Sequence, residues 1–271
     1  MNKKILCIAA TMLLLVQANA QSIKTFVEGK TITKLTKTDM TISSEMMGQT
    51  MEQQMQTTNT IEMKVVAARD KEMKVQQKTT KMTMNMSVMG QEIDFDSEKT
   101  DNDEKLSSMK DAINKVAIIT TDEKGIVTDM KYDKELEALM QGNAALTSTS
   151  AKGMPLDFIV LLPTDVAIGK TWTQVFGTEG KDSYTYTVKS IDNGVAQLEL
   201  TGKLTVNATS QANGMDMLTK LSGKVAGLVS VDAKTNLVKS RTSKTEFTGT
   251  VEVMGQSMPM QTTMTTEETY K

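Results

Sequence analysis

The sequence predicts a β-dominated α+β fold, a curved antiparallel sheet forming a partial barrel, with two or three short helices. Three observations point there. Apolar residues recur at every second position over long stretches, glycine turns punctuate those stretches, and helical spacing is confined to two short segments.

The alternation is clearest from Lys81 to Val88. Met82, Met84, Met86 and Val88 share one parity, while Lys81, Thr83, Asn85 and Ser87 take the other. Ile61, Met63 and Val65 alternate with Glu62 and Lys64. Ala196, Leu198, Leu200, Leu204, Val206 and Ala208 form a third set, and Thr245, Phe247, Val251 and Val253 a fourth. Period two over such lengths describes strands with one buried and one solvated face. Strands of roughly fifteen residues twist and curl rather than lie flat, hence the expected curvature.

Turns fall where hairpins need them. Gly48-Gln49, Gly90-Gln91 and Gly255-Gln256 each follow a methionine. Asp192-Asn193-Gly194 and Asp122 to Gly125 read as hairpin loops, and Arg69-Asp70-Lys71 closes another. A chain running down and up between the first two Met-Gly-Gln tips brings both to one end of the sheet. Helices are expected over 103–115, with Leu106, Met109, Ile113 and Val116 at helical spacing, and over 134–141, ending at Gly142-Asn143. Ala144 to Gly153 reads as a loop. Met154 to Leu162 is apolar and ends at Pro163, and periodicity leaves helix, buried strand and lid open for it.

Two lysines, an apolar run from Ile5 to Val16 and Ala18-Asn19-Ala20 make residues 1–20 a secretory signal, cut before Gln21. The run is short of the ~20 apolar residues that span a bilayer, so no transmembrane span is expected once it is removed. The mature chain, residues 21–271, is expected to be one β-rich domain in the periplasm, the envelope or outside the cell. Cys7 is the only cysteine and leaves with the signal, so no disulfide is expected. Losing Lys3 and Lys4 moves the formal charge from −2 to −4, which gives nucleic acid no basic face to bind.

The chain has no histidine, and its only cysteine lies in the leader. Serine and cysteine triads and His-ligated zinc or iron sites therefore cannot be built in the mature protein. Carboxylate-only catalysis stays open, with Asp94 and Asp96 the first candidates, but ten aromatic residues make a poor sugar platform. A non-catalytic protein without cofactor is the expectation. Gly169-Lys170-Thr171 lacks the earlier glycine of a phosphate loop, where Thr164 stands. The carboxylates from Glu92 to Glu104 lack the glycine of a calcium loop and read as a solvated strand edge entering a helix. Trp172 reads as a core anchor at a strand start.

Methionine is the abnormal feature: 23 in the chain, concentrated in residues 40–89 and 254–264. Thioethers furnish a soft, adaptable apolar face, for the protein's own core or for a hydrophobic ligand. They also bind Cu(I), a third reading, although several methionines lie at tips or opposite parity. If a ligand is held, Ile61, Met63, Val65, Met82, Met84, Met86 and Val88 are the residues expected to face it. The hairpin between the two strands should align their faces.

Methionine-rich strands broken by Met-Gly-Gln, then a Leu-Pro and Ile168-Gly169-Lys170-Thr171-Trp172, resemble an uncharacterised family of exported bacterial proteins, a domain of unknown function. The plan also resembles the curved-sheet lipoprotein carriers of bacterial envelopes, in which a half-barrel cups a lipid. That resemblance implies a binding module for a lipid or other hydrophobic molecule. The alternative is a structural or interaction protein of the envelope, using sheet edges and hairpin tips.

Overall fold

The computed structural model describes residues 28–46, 49–69, 71–88, 90–99, 106–137, 152–177, 180–212, 215–253 and 255–271. The expected leader and its expected cleavage site lie outside these residues. So do Met47, Gly48, Met89 and Met254, positions 103–105 and 138–141 of the expected helices, and most of the loop after Ala144.

The architecture is one large antiparallel sheet, curved and not closed. In chain order its strands are β1 (Thr31–Met46), β2 (Gln49–Arg69), β3 (Glu72–Val88), β4 (Gln91–Asp96), β5 (Ala117–Asp122) and β6 (Val127–Tyr132). They continue with β7 (Thr171–Phe176), β8 (Asp182–Asp192), β9 (Val195–Ala212), β10 (Met215–Asp232), β11 (Val238–Val253) and β12 (Gln256–Tyr270). The order across the sheet is β6-β5-β3-β2-β1-β12-β11-β10-β9-β8-β7, with β4 pairing the far part of β3. Two meanders are thus joined along a single seam between β1 and β12.

The hairpins form as the turn residues require. Asn193 and Gly194 take φ of 50° and 76°, the paired positive values of a tight hairpin turn. The β1–β2, β3–β4 and β11–β12 turns all lie at one end, the tip end. There Ile42 is level with Gln53, Val88 and Thr262 through successive pairings.

Curvature has a visible cause. Gly202, Gly223, Gly227 and Gly249 sit on the core-facing side of β9, β10 and β11, and a Cβ there would meet neighbouring atoms at 2.0–2.5 Å. At Gly227 and Gly249 the obstacle is backbone, the Thr242 and Lys220 carbonyl oxygens. Only glycine lets the strands bend this sharply inward.

The core occupies the end opposite the tips. Ile32, Met63, Val65, Val75, Ile119, Leu198, Leu200, Val229 and Val231 meet there, together with Leu156, Phe158, Ile159, Val160 and Leu162. Those last five come from the segment left open by periodicity, and it is neither helix nor regular strand. It is a strap threading the mouth of the curved sheet. Gly153 N donates to Val127 O, Val127 N to Met154 O and Gly177 N to Gly153 O, so the strap touches both free edges, β6 and the end of β7. Farther along, Val160 N donates to Asn236 O and Val238 N to Phe158 O, fastening it to the β10–β11 turn. Its backbone groups are thereby satisfied where no ladder exists.

Helix is scarcer than the spacing suggests. Among the described residues the first is only Ser107–Asp111 (α1). It gives way to a turn in which Asn114 takes φ of 64°, so Ile113 and Val116 are not helical. One turn at 134–137 is all that is described of the second. No helix among the described residues is long and apolar enough to cross a membrane.

Candidate functional site on the concave face

Successive rows of cross-strand partners climb the inner face from the core toward the tips. Just above the apolar core, Lys34 on β1 lies opposite Tyr270 on β12. The next row is Asn59, Thr36, Glu268 and Arg241 across β2, β1, β12 and β11. Thr57, Thr38, Thr266 and Ser243 follow, a row of hydroxyls. Above them come Met86, Met55, Met40 and Met264 on four neighbouring strands. Strand spacing of ~4.8 Å makes these four thioethers a continuous apolar band. All four are half-buried.

The seven residues expected to face a ligand point to this inner side, but they do not form one surface. Ile61, Met63 and Val65 are sealed in the main core. Met84 is buried with Phe95 and Met109 in a separate small cluster, with Met82 against it. Met86 and Val88 are half-buried nearer the tips. Nor do the two groups pair with each other: Val65 lies opposite Val75, and Met82, Met84 and Met86 lie opposite Asn59, Thr57 and Met55. The two groups stand at different distances from the shared β2–β3 turn, and a bulge lies between them. Thr60 pairs with Lys81 and Ile61 with Thr79, leaving Thr80 over, and the inward parity of β3 changes from odd to even there.

The charged residues of the interior carry the strongest electrostatics. Lys34, 1% exposed, is hydrogen-bonded to Asp157 of the strap and lies 2.8 Å from Glu268 Oε1. Glu268 also accepts from Tyr270 Oη at 3.0 Å and has Arg241 Nη1 at 3.7 Å. Burial opposes the Lys34 charge, but Asp157 and Glu268 outweigh it and raise its pKa. Burial likewise opposes the Asp157 carboxylate, and Lys34 and Arg241 hold it below the usual range. Tyr270 is pushed well up by burial and by its two acidic neighbours. Beside the cluster, Trp172 stacks on Tyr186 at 5.3 Å and Tyr184 packs between Tyr186 and Phe176. Trp172 thus packs against the core edge from the start of β7.

Sequence reasoning missed this cluster, although one signal was present. Lys34 interrupts an otherwise inward set, Ile32 and Thr36, and Glu268 shares parity with Tyr270.

The described grooves lie elsewhere. One of about 500 Å³ occupies the outer face, lined by Lys203, Lys224, Lys244, Glu246, Thr185 and Thr201. A second of about 430 Å³ adjoins it and shares Lys203, Lys224 and Glu246. A third, about 310 Å³, lies at the core end beside Tyr270 and Val238. The charged residues lining the first two are mostly lysines.

Fold and site together define a curved half-barrel with one strapped, ion-paired end and one methionine-lined end. Residues 143–238 match a family of unknown function, DUF6263. No curated protein matches the chain. Among solved structures, an outer membrane channel from Pseudomonas putida F1 aligns at 8% identity over 91% of this chain and 97% of that one, with a TM-score of 0.28. A similarity that weak carries no argument about this protein's fold or role.

Proposed function

We propose that this is a non-catalytic envelope protein that holds a lipid or other hydrophobic molecule against the tip half of its concave face. The observation carrying the reading is the row Met86, Met55, Met40 and Met264, apolar, contiguous and half-exposed. A solid core would bury such a band, as it buries Met63 and Met73. Unbranched thioethers adapt their shape to an irregular guest at little cost. Native mass spectrometry of protein purified from its own envelope tests the reading: a retained hydrophobic mass is expected, and consistently empty protein would sink it. Peroxide supplies a second readout. Met40, Met55, Met86 and Met264 should oxidise before buried Met63, Met73 and Met109, and added apolar ligand should slow them.

A second reading, an interaction protein, draws on the outer groove. Lys203 and Lys224 are direct cross-strand partners, a like-charge pair that Glu246, opposite Lys224 on β11, only partly offsets and that an anionic partner would complete. Lys203→Glu with Lys224→Glu then releases the protein from isolated envelopes in fractionation, while Met40→Lys does not. The carrier reading gives the reverse dependence for ligand retention.

A further inference from the structure

The row beneath the hydroxyls holds polar atoms that the protein itself leaves unpaired. Asn59, Thr36, Glu268 and Arg241 are consecutive in register across four strands. Asn59 Oδ1, Thr36 Oγ1 and Arg241 Nε are buried without a hydrogen-bond partner, and Thr36 is only 6% exposed. Thr121 and Thr262 also carry a buried unpaired hydroxyl, but outside this row. Leaving such groups unsatisfied costs a fold roughly what a hydrogen bond contributes, so a set of three in one row points to a guest that completes them.

We infer that this row seats the polar head of an amphiphile whose head is uncharged and whose apolar tail runs up over the methionine row toward the tips. The inference rests on the carrier reading above. The chemistry of the head follows from the atoms waiting for it. Arg241 Nε–H donates, Asn59 Oδ1 accepts and the Thr36 hydroxyl does either, which suits a hydroxyl, ester or amide head. Charge follows from the balance already present: Lys34 and Arg241 face Asp157 and Glu268, two against two. The tyrosines around them, Tyr184, Tyr186 and Tyr270, stay neutral because burial raises each of them. An added carboxylate or phosphate would be a buried charge without a counter-charge. From Thr36 to Ser44 the inner face of β1 runs for roughly 26 Å, passing Met40 and Ile42, which leaves room for an extended tail.

Isothermal titration of the full chain with monolauroylglycerol, laurate and dodecane tests this. The glycerol ester should bind at least tenfold more tightly than the other two at neutral pH. Thr36→Val, which removes the unpaired hydroxyl while keeping shape, should leave the thermal midpoint of the free protein unchanged or raised. It should weaken the ester about tenfold and leave dodecane untouched. Asn59→Leu, on the neighbouring strand, should act the same way. Equal binding of ester and dodecane, unaffected by either substitution, overturns the head-group assignment and leaves the carrier reading standing. Tighter binding of laurate overturns the charge argument. If none of the three binds the wild-type chain, the carrier reading fails and takes this inference with it.

Discussion

Lys34 has the parity of buried Ile32 and Thr36 on β1 and is buried with them, a charge inside a core-facing row. Its ammonium is tolerated because two carboxylates and the Tyr270 ring, 5.9 Å away, surround it. Replacing only the lysine, as in Lys34→Met, leaves Asp157 and Glu268 facing each other and should cost about 3–5 kcal/mol in denaturant unfolding. The pH dependence follows from the two shifts. Asp157 is depressed, so its contribution is full above about pH 4 and is lost as pH falls through its folded value. Lys34 is raised, so its contribution is full below about pH 10 and is lost as pH rises through its folded value. Wild-type melting should therefore be flat between those limits as far as this pair is concerned. In Lys34→Met the decline above pH 10 should shrink. Met84 gives the second residue-scale expectation. Packed with Phe95 and Met109, it should tolerate leucine at less than about 1.5 kcal/mol, whereas Met84→Lys forces an unpartnered charge into the small cluster and unfolds the upper part of β3. Met40→Leu should likewise spare apolar binding, and a loss specific to added Cu(I) would instead favour a thioether metal site.

At the scale of elements, strand periodicity was legible wherever one face meets the core, and illegible where a single residue shifts the register. Thr80 is that residue. It carries no marker as a bulge, and its hydroxyl donates to Thr60 O at 3.2 Å, a contact that only the paired strand reveals. Residues 61–65 and 82–88 share the inner face but stand at different distances from the turn that joins their strands, with Thr80 between them. The strap was unreadable for a different reason: its residues are held by partners from 24 positions away (Gly177 to Gly153) to 123 (Lys34 to Asp157), so no local period describes them. Glycines were visible as turn formers, but Gly202, Gly227 and Gly249 serve close approach instead. Gly249→Ala should lose about 1–3 kcal/mol in thermal or chemical unfolding, because its Cβ would lie 2.0 Å from a backbone oxygen that cannot rotate away. Gly90→Ala, with nothing within 4 Å, carries only the strain of its φ of 79°.

For the whole molecule, the organising fact is that one seam, β1 with β12, joins the two meanders, and that this seam bears the ion cluster. Among the described residues Thr33 exchanges both backbone hydrogen bonds with Lys271. Everything else in the sheet pairs with a near neighbour in sequence except β3 with β5, where β4 and α1 intervene. Hydrogen exchange should accordingly be slowest for Ile32 to Thr36, Ala196 to Leu200 and the strap residues bonded to Asn236, and fastest at the tips.

The Lys34 cluster also carries information about time. Lys34 lies on β1, Asp157 on the strap and Glu268 on β12, so the cluster gathers carboxylates 123 and 234 positions from the lysine. Until β12 is in place, Lys34 has only Asp157 of the strap, and gaining Glu268 means closing a loop of more than two hundred residues. Such closure is slow. The ion cluster thus couples docking of the strap to docking of β12, since Lys34 is held by one carboxylate from each.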